Sequence, residues 1–217
     1  MEVKICGIRT AETLATCAAL AVDFVGFVFY PASPRALTAA QAAALPSGGP
    51  QRVGLFVDAD DAVLAATLAV ARLDMLQLHG SESPARCADI RARFGLPVMK
   101  ALGVSVAADL DAIAEYAPVV DRFLFDAKPR VGDPLPGGNA HPFEWSLLRG
   151  LAVPRPWLLA GGLTPGNVAQ AIPAAGAPGV DVSSGVESRR GEKAAPLIEE
   201  FITAARLRMV ANNTTQE

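Results

Sequence analysis

Val3-Lys4-Ile5-Cys6-Gly7, near the N-terminus, holds a short apolar run that carries a lysine and stops on a thiol. Residues 122–126, Arg122-Phe123-Leu124-Phe125-Asp126, have the same form and stop on a carboxyl. A polar side chain closing a buried strand is tolerated where the strand leaves the apolar interior, and in parallel α/β folds active sites are built at that end. Working outward from the first run, six more of the same kind appear: Phe24 to Phe29, Arg52 to Val57, Met75 to His79, Val98 to Ala101, Trp157 to Ala160 and Val180 to Ser183. Between them lie Ala-rich stretches with helical character, including Ala11 to Ala21, Asp60 to Ala71, Ser83 to Phe94 and Pro165 to Ala175. Asp60, Ser83-Pro84 and Thr164-Pro165 supply helix-start chemistry. Eight strand-then-helix units predict an α/β fold of the (β/α)8 TIM-barrel type. The competing doubly wound sheet would carry Gly-x-Gly-x-x-Gly after its first strand, and this chain does not.

A length of 217 residues suits one such domain, expected over residues 1–209, with the polar residues 210–217 as a disordered tail. Hydrophobic residues make up 51% and charged residues 19%, as strands covered on both faces require. A net charge of −3 without a basic block argues against nucleic acid or an anionic membrane as partner. Three cysteines without Cys-x-x-Cys spacing argue against a disulfide framework or a zinc knuckle. With no signal-like N-terminus and no apolar run approaching the ~18 residues of a membrane span, a cytoplasmic protein is expected.

In a barrel the eight strand ends share one mouth, so Cys6 and Asp126 become neighbours. Alternation along the strand turns Lys4 inward beneath Cys6, where its ammonium would lower the thiol pKa. Lys4 needs a counter-ion if buried, and Asp181, on the strand that closes the barrel, is its natural partner. Phe123, Leu124 and Phe125 suggest apolar surroundings for Asp126 that favour its neutral, acid form. The loops after strands seven and eight, Gly161-Gly162-Leu163 and Ser183-Ser184-Gly185-Val186-Glu187, offer backbone N–H groups and hydroxyls to a phosphate. Arg35 presents a planar fork suited to a carboxylate, although a solvent-facing loop arginine is the plainer reading. His79 ends the fourth strand and is a candidate base or ligand. No second histidine or cysteine stands at ligand spacing, so no metal is expected. The long Gly- and Pro-rich connection from Lys128 to Pro142 has the character of a lid.

Taken in order, Lys4-Ile5-Cys6-Gly7, Ser33-Pro34-Arg35, Gln77-Leu78-His79-Gly80, Leu124-Phe125-Asp126, Leu159-Ala160-Gly161-Gly162-Leu163 and Val180-Asp181-Val182-Ser183-Ser184-Gly185-Val186-Glu187 resemble the phosphoribosylanthranilate isomerases of tryptophan biosynthesis. The resemblance implies an Amadori rearrangement of N-(5-phosphoribosyl)anthranilate to an open-chain ketose phosphate, with Asp126 as general acid, Cys6 as general base and no cofactor. It places the anthranilate carboxylate on Arg35 and the phosphate on Gly161, Gly162, Ser183, Ser184 and Gly185, and leaves Glu187 to order the last loop. Its partner is a small phosphoribosyl molecule, and monomer and homodimer stay open. Asn139-Ala140-His141-Pro142 departs from the family pattern, which leaves that loop's role open. Two other classes remain for test: a barrel that only binds a phosphometabolite, and a cysteine hydrolase, for which His79 lacks an evident orienting group.

Overall fold

The computed structural model describes residues 1–129 and 142–207. Eight parallel strands close into a barrel in sequence order: β1 Glu2–Cys6, β2 Phe24–Val28, β3 Gln51–Phe56, β4 Met75–Leu78, β5 Val98–Val104, β6 Arg122–Ala127, β7 Trp157–Leu159 and β8 Gly179–Val182. Among the described residues seven α-helices connect or follow them: α1 Ala11–Ala19, α2 Ala39–Ala43, α3 Asp61–Leu68, α4 Pro84–Phe94, α5 Ala112–Tyr116, α6 Val168–Ala175 and α7 Ala195–Arg206. The expected barrel is the observed fold. The expected lid lies mainly, and the expected tail wholly, outside the described residues.

Start chemistry acts as read at two helices. Asp60 accepts the Val63 N–H at 2.8 Å and Ser83 accepts the Arg86 N–H at 3.2 Å. At Thr164-Pro165 the helix begins later, at Val168, because Asn167 takes the Thr164 N–H (2.8 Å) and donates to the Gly162 carbonyl (2.9 Å), tying 162–167 into a turn. The sequence reading also missed a hairpin after β8, made of β9 Glu187–Arg189 and β10 Glu192–Lys193.

Two apolar clusters fill the molecule, and the two-residue period of the strands decides which residue joins which. Phe24, Val53, Met75, Met99, Ala101, Leu124, Leu158 and Ala160 pack inside the barrel. Val3, Ile5, Phe123, Phe125, Leu159, Val180 and Val182 face the helices. The interior register therefore includes Lys4, Cys6, Gln77, Asp126 and Asp181. Phe123 and Phe125 stack on each other and Phe125 meets Trp157 edge-on, all on the outer side. Of the apolar surroundings expected for Asp126, Phe123 and Phe125 thus belong to the opposite face of the sheet, and Leu124 shares its face.

The seam between first and last strands pairs Lys4 directly with Asp181. Lys4 Nζ lies 2.8 Å from Asp181 Oδ1, and the lysine is fully buried. Burial pulls the ammonium's pKa down, but Asp181 and Cys6 outweigh it and leave Lys4 above its ordinary value. Removing one partner strands a buried charge. Asp181→Ala is expected to lose about 3–5 kcal/mol in urea unfolding, and Lys4→Met with Asp181→Leu to recover most of it, since an apolar pair of similar volume replaces a buried ion pair at little cost.

Candidate active site

Cys6 ends β1 with its Sγ against Gly26 on the neighbouring strand, where an added Cβ would stand 2.7 Å from the sulfur. The thiol is 4% exposed. Burial pushes its pKa up, the ammoniums of Lys4 and Lys193 pull it back, and Asp181 pushes it up again, with a net rise. The expectation that Lys4 lowers the Cys6 pKa is corrected in its outcome: the pull exists, but desolvation exceeds it and Asp181 answers much of Lys4's charge. The resting site holds a thiol. Burial also raises Cys17 to about 12 and Cys87 to about 11, as inert core residues.

Lys193 was not foreseen. The hairpin folds it back beneath the mouth, where Nζ donates to the Ser183 carbonyl (3.0 Å), the Ser183 hydroxyl (3.3 Å) and Glu187 Oε1 (2.6 Å). Its signal in the sequence was faint: Glu187 and Lys193 flank Arg190-Gly191, a turn with Gly191 at φ +85°. The Ser183 hydroxyl in turn donates to the Cys6 carbonyl at 3.1 Å. That hydroxyl, expected on a phosphate, is turned toward the first strand.

Arg35 is 5% exposed rather than solvent-facing. Its Nε and Nη2 grip Glu187 Oε1 and Oε2 at 2.7 and 3.0 Å, and Nη1 lies outside this fork. Gly7, at φ +86°, makes room for the arginine stem, since a Cβ there would come within 2.8 Å of Arg35 Cδ. Burial pushes the Glu187 carboxyl up, but Arg35, Lys193 and the Gly191 N–H bring it down to about 2. Glu187 orders the last loop, as expected of it.

Asp126 ends its inward register 8% exposed. Oδ1 accepts the Ala127 N–H at 2.8 Å, and Oδ2 lies 3.3 Å from His79 Nε2. The other ring nitrogen, Nδ1, is 2.9 Å from Gln77 Nε2. His79 therefore has the orienting partner that the sequence reading denied it. Its backbone is pinned as well: Lys100 Nζ donates to the carbonyls of Leu78 (3.2 Å) and Gly80 (2.7 Å) and pairs with buried Glu82 at 2.8 Å.

The loops after β7 and β8 interlock. Gly161 and Gly162 have φ of +83° and +63°, and a Cβ on Gly161 would lie 2.7 Å from the Ala127 nitrogen and 3.1 Å from Asp126 Oδ1. A Cβ on Gly185 would stand 1.9 Å from the Leu163 carbonyl. Ser184 and Gly185 stay partly open in the short turn Ser184–Val186. The structure thus gathers thiol, carboxyl, imidazole, guanidinium and glycine loops at one end of the barrel.

Fold and site together define a class: (β/α)8-barrel enzymes that carry a potential acid and base at the strand ends. The model of one family, N-(5'phosphoribosyl)anthranilate (PRA) isomerase, matches residues 3–204. The N-(5'-phosphoribosyl)anthranilate isomerase of Paramagnetospirillum magneticum is 54% identical, covering 95% of this chain and 97% of its own. The phosphoribosyl anthranilate isomerase structure from Thermotoga maritima superposes with a TM-score of 0.84 at 35% identity, covering 95% and 98%. A structure of such an isomerase with reduced 1-(o-carboxyphenylamino)-1-deoxyribulose 5-phosphate superposes at 0.79 and 34% identity, with the same coverage. The chain belongs to the N-(5'-phosphoribosyl)anthranilate isomerase family.

Two titrations check this site. Glu187, depressed from 4.5 to about 2, contributes stability that is present above its unfolded value and lost as pH falls through that window. Glu187→Gln is expected to remove about 3 kcal/mol of the acid-dependent loss of stability between pH 5 and 2, read by urea titrations. Alkylation of Cys6 by iodoacetamide, followed on its own peptide by mass spectrometry, is expected to be half-maximal above pH 9.0 and to move higher in Lys193→Met.

Proposed function

We propose that Asp126 and Cys6 divide the proton transfers of phosphoribosylanthranilate isomerisation, with Asp126 as acid and Cys6 as base. The protein is an isomerase of this family and takes a small-molecule substrate. What supports the division is the placement of a carboxyl and a thiol in the inward register of β6 and β1, on two walls of one mouth.

In this reading Asp126 protonates the furanose ring oxygen as the anilino nitrogen pushes its lone pair into C1, and the ring opens to an iminium. Cys6, as thiolate, then takes the proton from C2 and leaves an enolamine, which tautomerises to the ketone. The cycle balances from the resting thiol: its proton passes first to the Asp126 carboxylate, which creates the acid and the thiolate together, and each turnover returns the pair to carboxylate and thiol. Lys4 and Lys193 hold the thiolate while it exists. The substrate carboxylate is assigned to Arg35 through Nη1, outside the Glu187 fork. The phosphate is assigned to the backbone of Gly161, Gly162, Ser184 and Gly185, with Ser183 supporting Cys6 instead of donating its hydroxyl. Among the described residues no helix is long and apolar enough to cross a membrane, and we assign the enzyme to the cytoplasm.

Loss of substrate fluorescence tests the roles. Cys6→Ser and Asp126→Asn are each expected to lower kcat about 10²–10⁴-fold, while a non-reacting product analogue still binds, as a carrier of phosphate alone would not require. Near-wild-type turnover by both variants would sink the acid–base division.

A further inference from the structure

The geometry points to Gln77 and His79 as positioning residues for the acid: the Gln77 amide holds the His79 imidazole as its Nε2–H tautomer, and that N–H supports the carboxylate that Asp126 becomes when it donates its proton. The inference rests on Asp126 being the acid. Three observations carry it. Nε2 faces Asp126 Oδ2 at 3.3 Å while Oδ1 is taken by the Ala127 N–H at 2.8 Å, so the oxygen nearest the ring is not the one the backbone N–H occupies. Contacts of this kind are commonly long before substrate binds and tighten in the reacting complex. On the far side of the ring, Gln77 Nε2 approaches Nδ1 at 2.9 Å. The backbone on either side of His79 is held by Lys100, so the ring has little freedom to move away.

The amide's orientation decides the tautomer. As placed, Gln77 donates to Nδ1, and its Oε1 is buried with no hydrogen-bond partner among the described residues. Reversing the amide would bury an unpaired NH2 group with two donors in place of one unpaired carbonyl. It would also demand a proton on Nδ1, turning the bare Nε2 of a neutral ring toward the carboxylate. Backbone and side-chain carbonyls tolerate an unmet lone pair better than amides tolerate unmet N–H groups. The observed orientation is the one that leaves a neutral imidazole donating to Asp126. A donor aimed at the oxygen where negative charge develops acts on the transition state more than on bound substrate. Its loss should therefore fall on kcat and spare KM.

The chain has two histidines, so ¹⁵N-histidine labelling gives two pairs of ring-nitrogen signals, and the pair from His79 is the one missing from His79→Gln. Expected are a protonated Nε2 and a bare Nδ1 in the wild type, and a proton moved to Nδ1 in Gln77→Glu. Gln77→Met is expected to lower kcat about 10–100-fold at unchanged KM, the range for losing one hydrogen bond to a charged group. His79→Phe should behave likewise, and His79→Gln, whose amide N–H reaches the place of Nε2, should recover part of the rate. A wild-type ring protonated on Nδ1 overturns the inference. So does wild-type kcat in Gln77→Met and His79→Phe when Asp126→Asn is inactive. Activity in Asp126→Asn would instead remove the acid assignment itself, and the inference with it.

Discussion

The Lys4–Asp181 pair is the constraint on which the rest of the arrangement depends. It sits at the seam where β8 meets β1, in direct register, inside the barrel. A buried ammonium and a buried carboxylate must find each other or the chain must leave them in water. Closing the barrel in this register satisfies both. A one-residue slip of either strand would turn one charge toward the helices and the other inward. The pair therefore specifies closure, and it keeps inside the barrel the positive charge that strand alternation sets beneath Cys6.

Around that pair the site is built from charges that answer one another. Arg35, Glu187 and Lys193 form a second buried set, linked through Ser183 to the carbonyl of Cys6. Three cations and two carboxylates lie near the thiol, so a thiolate brings the local sum to neutrality. Desolvation still holds the sulfur protonated at rest. A buried sulfur that stays protonated is protected from oxidation and alkylation, which follow the thiolate. On the opposite wall, the carboxyl of Asp126 meets the His79 ring and the Ala127 N–H, while Phe123 and Phe125 project from the other face of the sheet.

Much of this was legible beforehand. Eight short apolar runs, most ending in a polar or small residue, sufficed for a closed barrel, and alternation from Cys6 to Lys4 predicted a buried ammonium and its partner. The order of six strand-end motifs carried the family resemblance. Less was legible where the answer depended on which groups compete in space. The thiol shift had the predicted contribution from Lys4 but the opposite sum, since burial has no signature in a pentapeptide. Ser183 had the expected location, but the partner its hydroxyl takes, the Cys6 carbonyl, is 177 positions away. Lys193 and Gln77 were passed over: one is carried in by a hairpin, the other reads as an ordinary strand residue until its amide meets a ring.

By itself the sequence determined the periodicity, the strand ends and the chemical kinds of the groups, because these follow from local alternation and residue type. Only the tertiary structure decided pairing and protonation: that Arg35 grips Glu187, that Gln77 sets the His79 ring, and that Cys6 rests as a thiol. Those outcomes come from distances between strands far apart in the chain and from the loss of water around each charge. Neither quantity exists until the barrel has closed.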